Sequence, residues 1–490
     1  MTTPTTPTTP RARIVWAAHL LGLVRDNPVL EKDASTSLRA PVAPFLVAAG
    51  GLVVWLAALA AHLTAEPSVE SLAAWSGGEP SGRAMLAAAV GALLVLETLL
   101  LPTLASSAVA GERELGTLPL LQVSALTPAR VVAGKAGAIL VAAAPLLCAA
   151  LPVLALASLY GGVGVVEEAA AVVVVVVHAA ALACVGVGAS SLVKRARTAA
   201  PLAMLFSLGP AAFLGIPAVI TLALFVDGHP PVALMAPILV TGLACDVVLA
   251  VAALLLARDQ LSPKSAPRWP LRRVVLGCAL VGVPVVAALA LHLSPALASD
   301  TELRDSVTFS VLLEAAVLMC WTVALEVCWS DARPVDGRAP LGQALRVSVL
   351  TAVGVAAARA IPDPAAFAVP GWHRAVALGA LPWAGVVFVA AYVLFCAMLA
   401  AAVSRVIKRP ALRMVVVVIA VVALFMVPLV LDELRWALDL PRYALGFTNP
   451  ALLVDALPPG GRGAPLRYGL AFFATSSALF AFVARRPRTR

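Results

Sequence analysis

The chain has 490 residues, of which 61% are hydrophobic and only 12% are charged, and its net charge at pH 7 is +9. Soluble domains carry about 25% charged residues, so a water-soluble fold of this length would leave far too much apolar surface uncovered. Many apolar runs are long enough to cross the hydrocarbon core of a bilayer, and they lack the alternation of barrel strands. We therefore predict an all-α protein, a polytopic bundle of transmembrane helices.

The apolar runs predict about twelve spans in two halves of six, with a cytoplasmic linker at residues 258–273 between the halves. The first half is the membrane domain 42–257 and the second is the membrane domain 274–484. The predicted spans are 42–64, 84–110, 136–160, 169–193, 199–226, 231–257, 274–293, 307–330, 346–361, 375–403, 412–431 and 467–484. The ninth span is short and contains Arg359, which leaves the count open at that point.

The segments outside the spans are short and mostly polar. Residues 1–10 are a Thr/Pro-rich tract that we expect to be disordered. Residues 11–41 are an amphipathic, partly basic segment that is suited to lie along the cytoplasmic surface of the membrane. Residues 485–490 form a basic cytoplasmic tail.

Loop charges predict the orientation of the bundle. With the N-terminus inside, 27 of the 35 Lys and Arg residues fall on the cytoplasmic side, including all five lysines. This asymmetry follows the positive-inside rule for a protein of the inner membrane. Both termini are therefore predicted to be cytoplasmic. The net charge of +9 is a topology signal, and no basic face with interleaved aromatics indicates nucleic-acid binding.

The most distinctive segment follows the second span and reads GERELGTLPLLQVSALTPARVVAGK over residues 111–135. Glu112 and its charged neighbours end the apolar run, Gly116 breaks the helix, and Thr117 is placed to cap a short, partly apolar helix. Thr127 and Pro128 repeat the cap-plus-proline signal and open the third span. We expect a small knob that projects into the cytoplasm, where a partner could push on it. An ordinary loop between two helices is the alternative.

This segment resembles the permease subunits of ABC-2 type transporters, which typically read E-R-E-x-G-T-L-E-x-L-L, then T-P-L-S-P, then G-K. The matching residues are Glu112, Arg113, Glu114, Gly116, Thr117, Leu118, Leu120, Leu121, Leu126, Pro128, Gly134 and Lys135. Pro119 departs from the usual acidic residue. Upstream, Asn27-Pro-Val-Leu-Glu-Lys-Asp33 resembles the N-P-[VI]-L-x-[KR]-[ED] segment that these permeases carry before their first span. The resemblance covers about residues 11–258.

The resemblance implies a permease subunit that moves a substrate, most simply outward, with energy from a separate ATPase subunit. The expected coupling residues are Glu112, Arg113, Glu114, Gly116, Thr117, Leu120, Leu121, Pro128 and Arg130, and the expected interfacial residues are Asn27, Pro28, Glu31 and Lys32. Gly134-Lys135-Ala136 lacks the spacing and the Ser or Thr of a phosphate-binding loop. The chain would therefore not be an enzyme itself, and its partner would bind ATP and Mg²⁺.

Several questions stay open at this stage. One chain could supply both halves of a transporter, or it could pair with a second copy or with a partner permease. The residues do not identify the substrate. They also show no metal-binding pattern, since none of the cysteines has CxxC spacing.

Four acidic residues lie inside predicted spans: Glu97, Asp246, Glu314 and, nearer the cytoplasmic end of its span, Glu326. A charged group at the centre of a spanning helix costs at least roughly 2.5–3.5 kcal/mol on insertion scales, so each needs a partner or a wet cavity. They are either structural hydrogen-bonding groups or parts of a polar route through the membrane. An ion- or proton-coupled secondary transporter that uses them is one alternative function for the chain. A membrane scaffold or embedded enzyme without transport is another.

Overall fold

The computed structural model describes residues 27–64, 80–123, 126–215 and 231–262, together with residue 218, residues 278–283 and 285–286, and scattered residues between 394 and 419. All regular structure within these residues is helical, as predicted, and they contain no strand. The chain divides into two compact units, one of Met1–Leu208 with Leu249–Arg268 and one of Gly209–Val248 with Trp269–Arg490. The predicted halves 42–257 and 274–484 stay a prediction, because most of the second lies outside the described residues.

Eight α-helices lie within the described residues. They are α1 Pro28–Arg39, α2 Val42–Thr64, α3 Pro80–Glu114, α4 Leu118–Val123, α5 Pro128–Leu159, α6 Val165–Leu192, α7 Ala196–Pro210 and α8 Pro231–Leu261. Short π-helical turns follow at Ala211–Gly215 and Cys278–Gly282. Helices α2, α3, α5, α6 and α8 are long and apolar enough to cross a membrane. The protein is therefore helical with five candidate membrane spans in the part of the chain that the structure describes.

These five helices coincide with the first four predicted spans and the sixth. Helices α3 and α5 extend beyond the apolar runs 84–110 and 136–160, because polar residues continue each helix. Helix α3 reaches Glu114, just before the predicted break at Gly116, and α5 begins at Pro128, behind the predicted cap Thr127. The fifth predicted span, 199–226, contains most of α7, while most of its last ten residues lie outside the description. Most of every predicted span from 274–293 onward lies outside it as well, so the count of about twelve is not confirmed.

Helix α3 packs against α2, α5 and α6, and its contact with α6 is the most extensive. Every residue of α6 from Ala181 to Ser191 is buried, so this half of the helix is covered on all sides. Small residues make that possible, because they let helix backbones approach closely inside a membrane. Gly186 lies against Ala105 and Pro102 of α3, where a Cβ atom would overlap the Ala105 side chain.

One hydroxyl group joins α3 to α6 near the end of both helices. Ser190 Oγ accepts hydrogen bonds from the backbone N–H groups of Val109 (3.0 Å) and Ala110 (2.9 Å). It also donates to the carbonyl oxygen of Ser106 at 2.7 Å. A hydroxyl group inside a membrane helix bundle needs internal partners of this kind. The contact therefore fixes the C-terminal part of α3 to α6.

Replacing Gly186 with Ala is expected to destabilise the protein by about 1–3 kcal/mol, because the added methyl group overpacks the α3–α6 contact. The free energy of unfolding can be measured by denaturant titration of the detergent-solubilised chain. Gly91→Ala is the matched control: it also changes a glycine inside a helix of the same pair, but nothing lies within 4 Å of its Cβ position. Equal stabilities of the two variants would contradict the close packing at Gly186.

Candidate functional site

Asn27 connects the start of α1 to α5. Its Oδ1 atom accepts hydrogen bonds from the N–H groups of Val29 (3.1 Å) and Leu30 (3.4 Å), which is the N-cap arrangement that satisfies free donors at a helix start. Pro28 takes the first helical position, where no N–H is needed. The Nδ2 atom of the same side chain donates to the carbonyl oxygen of Arg130 at 2.8 Å. Asn27 thus caps α1 and holds it against the first turn of α5.

Two glycines on α5 leave room for α1. A Cβ atom on Gly134 would lie 2.8 Å from Asn27 Oδ1, and one on Gly137 would lie 3.0 Å from Leu30 Cδ1. Real Cβ atoms rarely come this close to another heavy atom. The glycine that precedes Lys135 is therefore explained by the close approach of α1, which a larger residue would push away.

Lys135 joins three helices. Its Nζ atom lies 3.0 Å from Asp33 Oδ2 on α1 and 3.3 Å from Glu112 Oε1 near the end of α3. The lysine is only 3% exposed, whereas the two carboxylates keep partial contact with solvent. A buried ammonium group is costly unless carboxylates and hydrogen bonds compensate its charge. Asp33, Glu112 and Lys135 therefore form one charge cluster, which we call the triad.

The end of α3 next to the triad is a Schellman turn. Thr117 N donates to Glu112 O at 3.0 Å and Gly116 N donates to Arg113 O at 3.3 Å, the two bonds that define this motif. Gly116 has a φ of 69°, in the left-handed region that glycine adopts without strain. The predicted helix break at Gly116 is thereby confirmed.

Thr117 differs in detail from its predicted role. Its backbone carbonyl accepts the first hydrogen bonds of α4, from Leu120 and Leu121. Its hydroxyl, however, donates to the carboxylate of Glu112 instead of capping α4. The side chain therefore supports the triad, because Glu112 receives one hydrogen bond from Lys135 and another from Thr117.

Helix α4 is the short, partly apolar helix that the sequence predicts between α3 and α5. Leu118 is buried at its start. Leu120 is 72% exposed and Val123 is 87% exposed, and Leu115 in the preceding turn is 79% exposed. Leu115, Leu120 and Val123 thus leave apolar side chains uncovered directly beside a rigid charge cluster. We call these three residues the apolar knob.

Arg113 and Glu114 bind backbone groups of the neighbouring helices. Arg113 Nη1 donates to the carbonyl oxygens of Ser191 and Val193, both at 2.7 Å, and so satisfies acceptors at the end of α6. Glu114 Oε1 accepts from the N–H of Ala196 at 3.1 Å, at the start of α7. The end of α3 therefore holds the α6–α7 connection through both residues.

The other predicted site residues are distributed over several places. In and near the first turn of α1, three residues are exposed: Pro28, Glu31 and Lys32. Leu121 is half-buried in α4. Pro128 begins α5 behind its N-cap Thr127, and Arg130 follows in the same turn. Glu97 is buried in α3, and Asp246 is buried in the part of α8 that belongs to the other unit. Glu314 lies outside the described residues.

The sequence prediction missed the pairing of Asp33 with Lys135, although each residue occurs in a matched segment. One signal was present: Lys135 is a single cation inside an otherwise apolar stretch of α5, and such a group requires a carboxylate nearby. The structure places no group of three or more His, Cys, Asp or Glu side chains around a common point that could hold a metal ion, within the residues it describes.

Comparison with known proteins gives no match: no protein-family model, no curated protein and no solved structure is significantly similar to this chain. The function must therefore be argued from the residues and their contacts.

Lys135→Met is expected to destabilise the protein by about 1–3 kcal/mol, because Asp33 and Glu112 lose the cation that compensates them. The triple variant Lys135→Met, Asp33→Asn, Glu112→Gln should lose less, since no carboxylate remains without its cation. Denaturant titration measures both, with the exposed Lys194→Met as control. A Lys135→Met variant as stable as Lys194→Met would show that the triad does not stabilise the fold.

Asn27→Asp separates the two roles of Asn27. Aspartate keeps the acceptor that caps α1 but cannot donate to Arg130 O, so α1 should lose its hold on α5 while its cap remains. Hydrogen–deuterium exchange of the α1 amides should rise in Asn27→Asp and rise further in Asn27→Ala. Exchange in Asn27→Asp that equals the wild-type rate would mean that capping alone orders α1.

Proposed function

We propose that this chain is the membrane-spanning permease subunit of an ABC-2 type transporter. In this proposal a separate ATPase subunit binds ATP and Mg²⁺, and the permease moves a substrate outward across the inner membrane. The observation that carries the proposal is the meeting of two motif segments that are far apart in the chain. Asp33 and Lys135 are 102 residues apart in sequence, yet both belong to matched segments and form one ion pair.

The contacts of the motif residues offer a physical reason for the pattern. Asn27 caps α1 and holds Arg130, Gly134 makes room for Asn27, and Lys135 connects Asp33 to Glu112. The resemblance was based on residue types and order alone. The same residues contact one another in the structure. This supports a common function for the two segments, which we propose is force transmission.

Force applied to the apolar knob would reach several helices at once. The Schellman turn and the Glu112–Thr117 hydrogen bond join α4 to α3, and Lys135 joins α3 to α5 and α1. Arg113 and Glu114 connect the same end of α3 to α6 and α7. A partner that shifts α4 would therefore move the ends of α3 and α5, which continue as long candidate spans. This is how ATP-driven motion could enter the membrane domain.

The partner surface is the apolar knob rather than the acidic pair at the end of α3. Glu112 binds Lys135, and Glu114 accepts a hydrogen bond from the backbone N–H of Ala196. Substituting either glutamate would therefore disturb the fold before it disturbed docking. Leu115, Leu120 and Val123 are exposed, so substituting them should not disturb the fold in this way. In the proposed topology of about twelve spans with both termini cytoplasmic, this surface faces the cytoplasm. Both halves come from one chain or from a pair of permeases.

The double variant Leu120→Asp, Val123→Asp is expected to lose the ATPase partner. Two carboxylates placed in an apolar contact cost several kcal/mol, so recovery of the partner should fall by about tenfold or more. The measurement is purification of the tagged full-length chain from its native membranes, with the partner identified by labelling with a photoreactive ATP analogue and quantified by ATP hydrolysis. Thermal stability of the purified variant should equal that of the wild type, because both side chains are exposed.

Val165→Asp is the matched control, since Val165 is 81% exposed but lies at the opposite, predicted external end of the bundle. It should leave recovery of the ATPase unchanged. If wild-type chain never recovers an ATP-binding polypeptide, the permease proposal is wrong. The ion-coupled secondary transporter would then explain the membrane domain better.

A further inference from the structure

Glu97 is a carboxyl group in the middle of a candidate membrane helix, and it has no hydrogen-bond partner among the residues that the structure describes. It lies at the midpoint of the 35-residue α3, and it is 1% exposed. Both of its oxygen atoms are buried, and neither has a hydrogen-bond partner within the described residues. An ionised carboxylate in such a place would lack both water and a compensating charge, which is strongly unfavourable.

The charged groups of α3 itself do not reach Glu97. Arg83 lies in the first turns of the helix, and Glu112, Arg113 and Glu114 lie in its last turn. At 1.5 Å per residue, Glu112 is roughly 22 Å along the helix axis from Glu97. Each of these residues also has contacts of its own, such as the hydrogen bond from Arg83 Nε to the carbonyl oxygen of Gly162.

The helices packed against α3 supply no cation for Glu97 either. Their titratable groups are His62 on α2, Arg130, Lys135 and Cys148 on α5, and Glu167, Glu168, His178 and Cys184 on α6. Arg130 and Lys135 belong to the first turns of α5, and Lys135 is held by Asp33 and Glu112. Of the basic groups in this set, only His178 lies near the middle of its helix.

His178 is already engaged with the neighbour of Glu97. The Thr98 hydroxyl donates its single hydrogen to the carbonyl oxygen of Leu94 at 2.7 Å. In the 3.2 Å contact between Thr98 Oγ1 and His178 Nε2, the hydroxyl must therefore accept, and Nε2 must carry a hydrogen. The Thr98–His178 pair joins α3 to α6 at this level and leaves Glu97 outside the pair.

We propose that Glu97 is a proton-binding site in the interior of the membrane domain. The carboxyl group holds one proton in this conformation and is neutral. Release transfers that proton to water and leaves a carboxylate, so it requires a rearrangement of α3 that admits water. This goes beyond the proposed permease function, because ATP-driven transport by itself does not call for a titratable group inside the bilayer.

The position of Glu97 links proton exchange to the movement of α3. The same helix ends in the triad, where force from a partner would arrive, and α6 holds it through Ser190 and His178. A shift of α3 relative to α6 would change the surroundings of the Glu97 carboxyl group, which no hydrogen bond within the described residues holds in place. The proton would then be exchanged in step with the conformational change.

Infrared spectroscopy of the full-length protein in lipid bilayers tests this directly. The wild type at pH 7 should show a carboxylic-acid carbonyl band that Glu97→Gln removes and that the exposed-site control Glu31→Gln retains. Glutamine has nearly the same shape as protonated glutamic acid, so Glu97→Gln should keep the thermal stability of the wild type. A Glu97→Gln spectrum with the same carboxylic-acid bands as the wild type overturns the proposal.

Labelling provides the deciding measurement if Glu97→Gln does not fold. Dicyclohexylcarbodiimide adds to protonated carboxyl groups in apolar surroundings: the acid hydrogen goes to a carbodiimide nitrogen, the carboxyl oxygen bonds to the central carbon, and the adduct rearranges to a stable N-acylurea. In wild-type protein the adduct should appear on Glu97, located by peptide mass spectrometry, and should be lost as the pH is raised. An α3 peptide without the adduct at every pH overturns the proposal in that case. Because neither measurement involves an ATPase, failure here leaves the permease proposal standing.

Discussion

The ammonium group of Lys135 lies 3.0 Å from Asp33 and 3.3 Å from Glu112, and it is almost completely removed from solvent. A single positive charge in this position needs carboxylates from outside its own helix, because α5 carries no acidic residue. The constraint brings the middle of α1 and the end of α3 to the same turn of α5. The three backbones can meet there because of Gly134, Asn27 and the Schellman turn at Gly116.

The two regions of α3 contrast in how their polar groups are satisfied. At its C-terminal end, Glu112, Arg113 and Glu114 each bind a group on another element. At its midpoint, Glu97 is buried with no hydrogen bond within the described residues. A well-satisfied end resists local change, whereas an unsatisfied interior group responds to any change in its surroundings. The same helix thus has polar groups bound to other elements at its end and a buried carboxyl group without such contacts, within the described residues, at its midpoint.

The spans near the N-terminus were predictable because backbone groups in lipid must be satisfied within the segment, so length and apolarity are enough to place a helix. Gly116 was predictable as a break for a similarly local reason, since glycine accepts the left-handed conformation that ends a helix. The start of α5 at Pro128 was predictable in the same way, from the Thr127 cap and the proline that follows it. The contacts of Arg113 with α6 and of Glu114 with α7 were not predicted, because they join groups 78 and 82 residues apart and leave no local sign in the sequence.

Sequence by itself determined that this is a helical protein with membrane-length apolar segments. That conclusion rests on interactions within one turn or one span. The tertiary structure decided which charges meet. Asp33 finds Lys135 across 102 residues and Ser190 bridges backbone groups of α3 more than 80 residues away. Such pairings depend on how each helix is rotated and how closely small residues let it approach, and no periodicity along the chain encodes that.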